Sequence, residues 1–114
     1  MLMARKPAVA EVFFALGHGT RLAIVRRLGV GGALSATTLS RGAKVTRQAI
    51  VKHLQLLEGA GLVTSERLGK HVLYALVPAR LAAPRAFLDG LAAGWDRAVD
   101  KRSPRGAARG TAAP

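Results

Sequence analysis

Apolar residues recur at three- and four-residue spacing along most of the chain, and the period shortens only between about residues 62 and 77. Val9, Val12, Phe13 and Leu16 form the first such stripe and predict a short helix, broken at Gly17-His18-Gly19. Thr20 is placed to cap a second helix in which Leu22, Ile24, Val25 and Leu28 are apolar and Arg21, Arg26 and Arg27 point elsewhere. Three glycines within residues 29–32 predict its end in a turn. Ser35 is set to cap a third helix through about Arg41, with Leu39 as its inward anchor. Gly42-Ala43-Lys44-Val45 reads as a tight turn, and Thr46 caps a fourth helix that runs through Glu58 and stops at Gly59-Ala60-Gly61. Leu62–Leu68 and Val72–Val77 then alternate as strands, with Gly69-Lys70-His71 as a hairpin tip. Pro78 closes the second strand, and Pro84 fits the first turn of a last helix striped by Phe87, Leu88, Leu91, Trp95 and Val99.

Two helices of unequal length joined by a short glycine-containing turn make a helix-turn-helix. Followed by a hairpin, they predict a mainly α chain with a small β-hairpin wing: a winged helix-turn-helix of four helices, two strands and a fifth helix. Residues 1–101 are expected to form one domain. Residues 102–114, made of Arg, Gly, Ala, Pro, Ser and Thr, are expected to be a basic disordered tail.

Composition changes the picture mainly through charge. A net charge of +12 attracts polyanions and gains affinity by counterion release. Residues 41–78 carry six positive and two negative side chains, whereas residues 79–100 carry three of each. That balanced segment is the one part not built to face phosphate. Cys is absent, which excludes disulfides and thiolate metal sites and is compatible with a reducing cytoplasm, the expected location. No apolar run reaches the roughly 20 residues a membrane helix needs. Arg5 and Lys6 before an apolar stretch resemble a signal peptide faintly, but Glu11 interrupts it and no cleavage pattern follows, so an ordinary amphipathic helix is expected.

The chemistry concentrates on the fourth helix. At about 100° per residue, Ile50, Leu54 and Leu57 fall on one side, while Gln48, Lys52 and Gln55 gather opposite them with Val51 at one edge. Thr46 and Arg47 occupy the N-terminal end, which is the end that reaches base edges when a helix enters a major groove. Arg grips guanine O6/N7 with two bonds, Gln does likewise to adenine, and Val meets a thymine methyl. Polar residues on an outward face are also what any solvated helix shows. The order of elements around this face, with Arg67, Lys70 and His71 on the hairpin, is what points to DNA. Ser35 and Thr37 on the third helix and His53 on the fourth complete the candidate DNA contacts, with His53 alternatively a hydrogen-bonded structural residue. His18, His53 and His71 lie far apart in sequence, and nothing in their spacing makes them converge.

The run from Thr46 to Val63, with its Lys52-His53-Leu54 and Ala60-Gly61-Leu62-Val63, resembles the recognition helix of the ArsR/SmtB repressors. Leu16-Gly17-His18-Gly19-Thr20-Arg21 is similar to that family's entry into its second helix, and Arg67 to Tyr74 is similar to its wing. The resemblance covers about residues 8–100. It implies a homodimeric repressor binding double-stranded DNA, with the first and last helices as subunit interface. Val9, Val12, Phe13, Leu16, Phe87, Leu88, Leu91, Trp95 and Val99 are the interface candidates. A charge-balanced last helix suits a symmetric seam, where the same patch meets itself. The reading is thus of a sequence-specific regulator that binds an inverted repeat through residues 46–58 and 67–72.

Three departures from the family pattern matter. Gly17-His18-Gly19 replaces the usual Asp-Pro. Val51 stands where Ser or Thr is common. The Cys pair or last-helix His of the metal-sensing members is absent, and Asp89, Asp96 and Asp100 alone are too few and too hard for zinc or nickel. No metal, cofactor or catalytic residue is therefore expected, and no carboxylate pair or nucleophile motif suggests an enzyme. The effector, if there is one, is left open between a small organic ligand and a protein. A winged helix that binds RNA, a protein, or DNA without sequence preference is the alternative.

Overall fold

Residues 8–102 are described in the computed structural model. Helix α1 (Val9–Leu16) is started by Glu11, whose carboxylate accepts the Ala8 N–H at 3.0 Å. Helix α2 (Gly19–Gly31) differs from expectation at both ends. His18, not Thr20, is its N-cap: the imidazole Nδ1 accepts the Thr20 N–H at 3.1 Å. At the other end the helix runs through Gly29 and Gly31 and stops at Gly32, whose φ of 80° suits a residue without Cβ. Each helical Gly costs roughly 1 kcal/mol in propensity, and here Leu76 lies beside Gly29 and Leu34 beside Gly31.

A strand that sequence periodicity missed follows: β1 (Leu34–Ser35) is two residues long, too short to display any period. Helix α3 (Ala36–Ser40) is capped as expected, with Ser35 Oγ accepting the Thr38 N–H at 3.1 Å. Helix α4 (Arg47–Gly59) is capped by Thr46, whose Oγ1 accepts the Ala49 N–H at 3.0 Å. Strands β2 (Val63–Leu68) and β3 (His71–Leu76) form the hairpin, and β1 adds to the other edge of β3. All pairings are antiparallel, with Leu34 opposite Tyr74, Val63 opposite Leu76 and Leu68 opposite His71. The loop is therefore Gly69-Lys70 alone, and His71 already pairs. Gly69 has φ 65°, which a tight two-residue loop requires at its first position. A 3₁₀ turn (Pro78–Leu81) leads into helix α5 (Ala82–Arg102).

Between Ala82 and Ala83 the chain divides into two units. In the first, the core is built around α4, whose Ile50, Leu54 and Leu57 are at most 1% exposed. Val12, Ala15, Ile24, Leu28, Leu39, Leu62 and Val63 close around them. The second unit is α5, where Phe87, Leu88, Leu91 and Trp95 are each at least half exposed. The expected basic tail lies outside the described residues, save for Arg102. Among the described residues no helix is long and apolar enough to cross a membrane.

Candidate nucleic-acid interface

The three anchors of α4 fix its roll, so the opposite side must face outward. Gln48, Lys52 and Gln55 are exposed there, together with Thr46 and Arg47 at the N-terminal end. Val51 is half-buried at the edge of the face, with part of its side chain against the core. These residues line one shallow concavity along the helix. The first carboxylate on α4 is Glu58, about 16 Å further along the axis, where it accepts a hydrogen bond from Ser65 Oγ at 2.9 Å.

Arginines hold the neighbouring helices in place. Arg27 donates to the carbonyl oxygens of Leu39 at 2.9 Å and Thr38 at 3.3 Å, which ties α2 to the end of α3. Arg21 departs from the expected outward direction and is only 8% exposed. Its Nε donates to the Ala15 carbonyl at 2.7 Å and its Nη2 to Phe14 O at 3.4 Å, with the guanidinium 5.6 Å from the Phe14 ring centre. Burial is tolerated because these partners satisfy the charged group. The signal was present in the sequence: Arg21 is spaced three and seven residues before Ile24 and Leu28, on their face of the helix.

Arg21 Nη1 also lies 3.3 Å from His53 Nδ1, and the His53 ring lies 4.7 Å from the ring of His18. Two histidines that sequence spacing kept apart thus meet at the corner where α1 and α2 abut α4. His53, a candidate DNA contact, is placed in this inward network rather than on the exposed face. No three His, Asp or Glu side chains come together among the described residues.

Burial, then the nearby His18 and Arg21, hold the His53 imidazole below its ordinary value of 6.5. A folded-state value below the unfolded one means that the unfolded chain takes up the proton first. Stability is therefore lost as pH falls through the ordinary histidine range and is retained above it. The midpoint of urea unfolding is expected to fall between about pH 8 and about pH 5, and less so in His53→Gln, whose amide oxygen can still accept from Arg21. An unchanged pH dependence in that variant would remove His53 as a source.

On the other side of α4, Arg47 Nε donates to Thr37 Oγ1 at 3.1 Å, which bridges α4 to α3. Facing this pair across a cleft is the hairpin. Arg67 is opposite Val72 and Ser65 opposite Tyr74, so alternation puts Arg67, Val72 and Tyr74 on the cleft face and Glu66 on the other. Ser35, Thr37, Arg67, Lys70 and His71 all line the cleft with Arg47 and Val51.

A helix-turn-helix domain model matches residues 16–66, which take in α2, α3, α4 and the start of the hairpin. The HTH-type transcriptional regulator Rv2034 of Mycobacterium tuberculosis is 42% identical over 85 residues, which are 75% of this chain and 76% of the relative. An ArsR-like transcriptional regulator from Rhodococcus sp. RHA1 has a solved structure 34% identical to this chain. It superposes with a TM-score of 0.70 over 90% of this chain and 94% of that one. The chain belongs to the ArsR family of winged helix-turn-helix transcriptional regulators. As an ArsR-family protein it carries a helix-turn-helix DNA-binding domain, with α3 and α4 as the two helices and β2–β3 as the wing. A further solved relative, the winged helix-turn-helix domain of Mb0332 from Mycobacterium bovis, is described as homodimeric; it is 27% identical, with a TM-score of 0.60 over 74% of this chain and 77% of that one.

Of the residues expected to contact DNA, Thr46, Arg47, Gln48, Val51, Lys52 and Gln55 share the outward side of α4. Ser35, Thr37, Arg67, Lys70 and His71 share the cleft. The interface candidates separate differently. Val12 is 2% exposed and Leu16 packs against the core, so both side chains are engaged within the subunit. Phe14, which the stripe reading passed over, is 68% exposed.

Proposed function

We propose that this ArsR-family chain is a homodimeric repressor that occludes a promoter by binding an inverted repeat. The outward face of α4 enters the major groove and the wing lies along the backbone beside it. The exposed, carboxylate-free run of Gln48, Lys52 and Gln55 carries this reading, because it presents base-reading groups on a helix whose roll the core fixes. Half-exposed Leu88, Leu91 and Trp95 within the charge-balanced segment 79–100 support pairing with a second copy, as does the homodimeric Mb0332 domain. Two recognition helices about 34–36 Å apart would then meet half-sites one helical turn apart.

Competition tests the regulator reading. An operator fragment selected from random duplexes is expected to bind roughly 10³-fold or more tightly than unselected DNA at physiological salt. Displacement by random DNA at equal concentration would leave a non-specific nucleic-acid binder instead. Gln48→Ala should narrow the gap between operator and random DNA by about 5- to 150-fold per half-site, since one good base contact discriminates by about 1–3 kcal/mol. Lys70→Ala should weaken both about equally.

A further inference from the structure

The cleft between the helix-turn-helix and the wing adjoins the shallow groove-facing side of α4 and shares Arg47 and Val51 with it. It encloses about 400 Å³. Three cationic side chains, Arg47, Arg67 and Lys70, line it with His71, and none of its lining residues is acidic. All three are exposed, so solvent screens their mutual repulsion, and an anion in the cleft would be attracted by each of them. A base edge is neutral and offsets none of the three cations, whereas a phosphodiester brings a negative charge that offsets one of them.

The hydrogen bonding of Arg47 points the same way. Its Nε–H is held by Thr37 Oγ1 at 3.1 Å, which fixes the guanidinium against α3 and leaves the Nη groups to donate. Thr37 Oγ1 accepts that bond, so its own O–H remains to donate to an oxygen in the cleft. An ordered fork beside a hydroxyl and a second arginine is an arrangement suited to tetrahedral oxyanions.

We infer that this cleft is a phosphate seat, and that Arg47 positions the protein on the DNA backbone rather than reading a base. The inference rests on the DNA-binding reading above and assigns the seat to a phosphodiester of the duplex. Arg67 reaches the same phosphate from the wing, so the seat joins wing to recognition helix through the nucleic acid.

The test compares operator and random duplexes for the full chain, Arg47→Ala, Arg67→Ala, the double variant and Thr37→Val. Arg47→Ala is expected to weaken both DNAs by the same factor, about 10- to 100-fold for one charged hydrogen-bonding group. The slope of log affinity against log salt should shrink by about 0.9 per half-site in the double variant, the value for one phosphate, and by a smaller step in Arg47→Ala. The double variant should lose less than the product of the single losses, because both residues hold one group. Thr37→Val should follow Arg47→Ala in part. In operators carrying single neutral methylphosphonate linkages, one position per half-site should weaken the full chain, and should weaken the double variant far less.

A collapse of the operator-to-random ratio in Arg47→Ala with an unchanged salt slope overturns the inference and makes Arg47 a base reader, with the DNA-binding reading intact. Absence of any duplex binding by the full chain is a different failure, that of the reading itself. Inorganic phosphate alone, titrated at matched ionic strength, separates the two sources of this chemistry. Phosphate that binds the unaltered chain but not Arg47→Ala, without lowering DNA affinity, overturns the assignment to the backbone.

Discussion

Leu54→Ala is expected to lower the free energy of unfolding by about 2–5 kcal/mol, a large part of the roughly 5–15 kcal/mol that holds a domain of this size. Leu54 is 0% exposed, midway along α4, between Ile50 and Leu57 on the only side of that helix that faces the core. Truncation removes the transfer free energy of the lost carbons and leaves a cavity that neighbours on α1, α2 and β2 only partly fill. The thermal midpoint should fall by roughly 10 °C or more. Lys52→Ala, two residues away but exposed, should change stability by less than about 0.5 kcal/mol. Urea and thermal unfolding of the two variants decide the matter: a loss under about 1 kcal/mol in Leu54→Ala would mean that α4 is not anchored by this side. Operator binding gives a second reading, since a helix that loses its anchor also loses the orientation of Gln48 and Gln55.

Leu91→Glu is expected to convert the proposed dimer into a monomer without unfolding the chain. Leu91 is 57% exposed within the single subunit, so its replacement there is tolerated. In a two-fold seam the substitution acts twice, placing two carboxylates against an apolar stripe. Size should therefore halve in sedimentation equilibrium while the helical circular dichroism is kept. Operator affinity should drop about 100-fold or more, because the second half-site no longer binds as part of one molecule. A Leu91→Glu protein that sediments as a dimer and keeps operator affinity would move the seam away from α5. Retained dimerisation with lost binding would instead indicate a disturbed recognition helix.

Local signals made most of the elements readable. Ser35 and Thr46 announced the starts of α3 and α4 because their hydroxyls cap the first turn from within the same segment. The spacing of Ile50, Leu54 and Leu57 was enough to set the inward side of α4, and with it the candidate reading face. The resemblance of Thr46 to Val63 to a known recognition helix placed the chain in its family, which the relatives then showed. Helix ends were less legible. The glycines of residues 29–32 read as a turn, yet all but Gly32 continue the helix, with Leu76 beside Gly29 and Leu34 beside Gly31, since propensity is a weak preference that tertiary context overrides.

The sequence by itself determined the period of each long element, the caps of α3 and α4, the surplus of positive charge and the absence of cysteine. It could do so because those features depend on residues within one or two helical turns, or on composition alone. Only the tertiary structure decided that Arg21 turns inward to join α1 to His53, that His18 and His53 meet, and that Arg47 is tied to Thr37 across from the wing. Each of these is a contact between segments, set by how helices pack and how a hairpin folds back. The two-residue β1 belongs with them, since a strand that short exists only through its partner β3. The phosphate seat is the clearest case: its cations come from α4 and the hairpin, and only the fold turns scattered charges into one cleft.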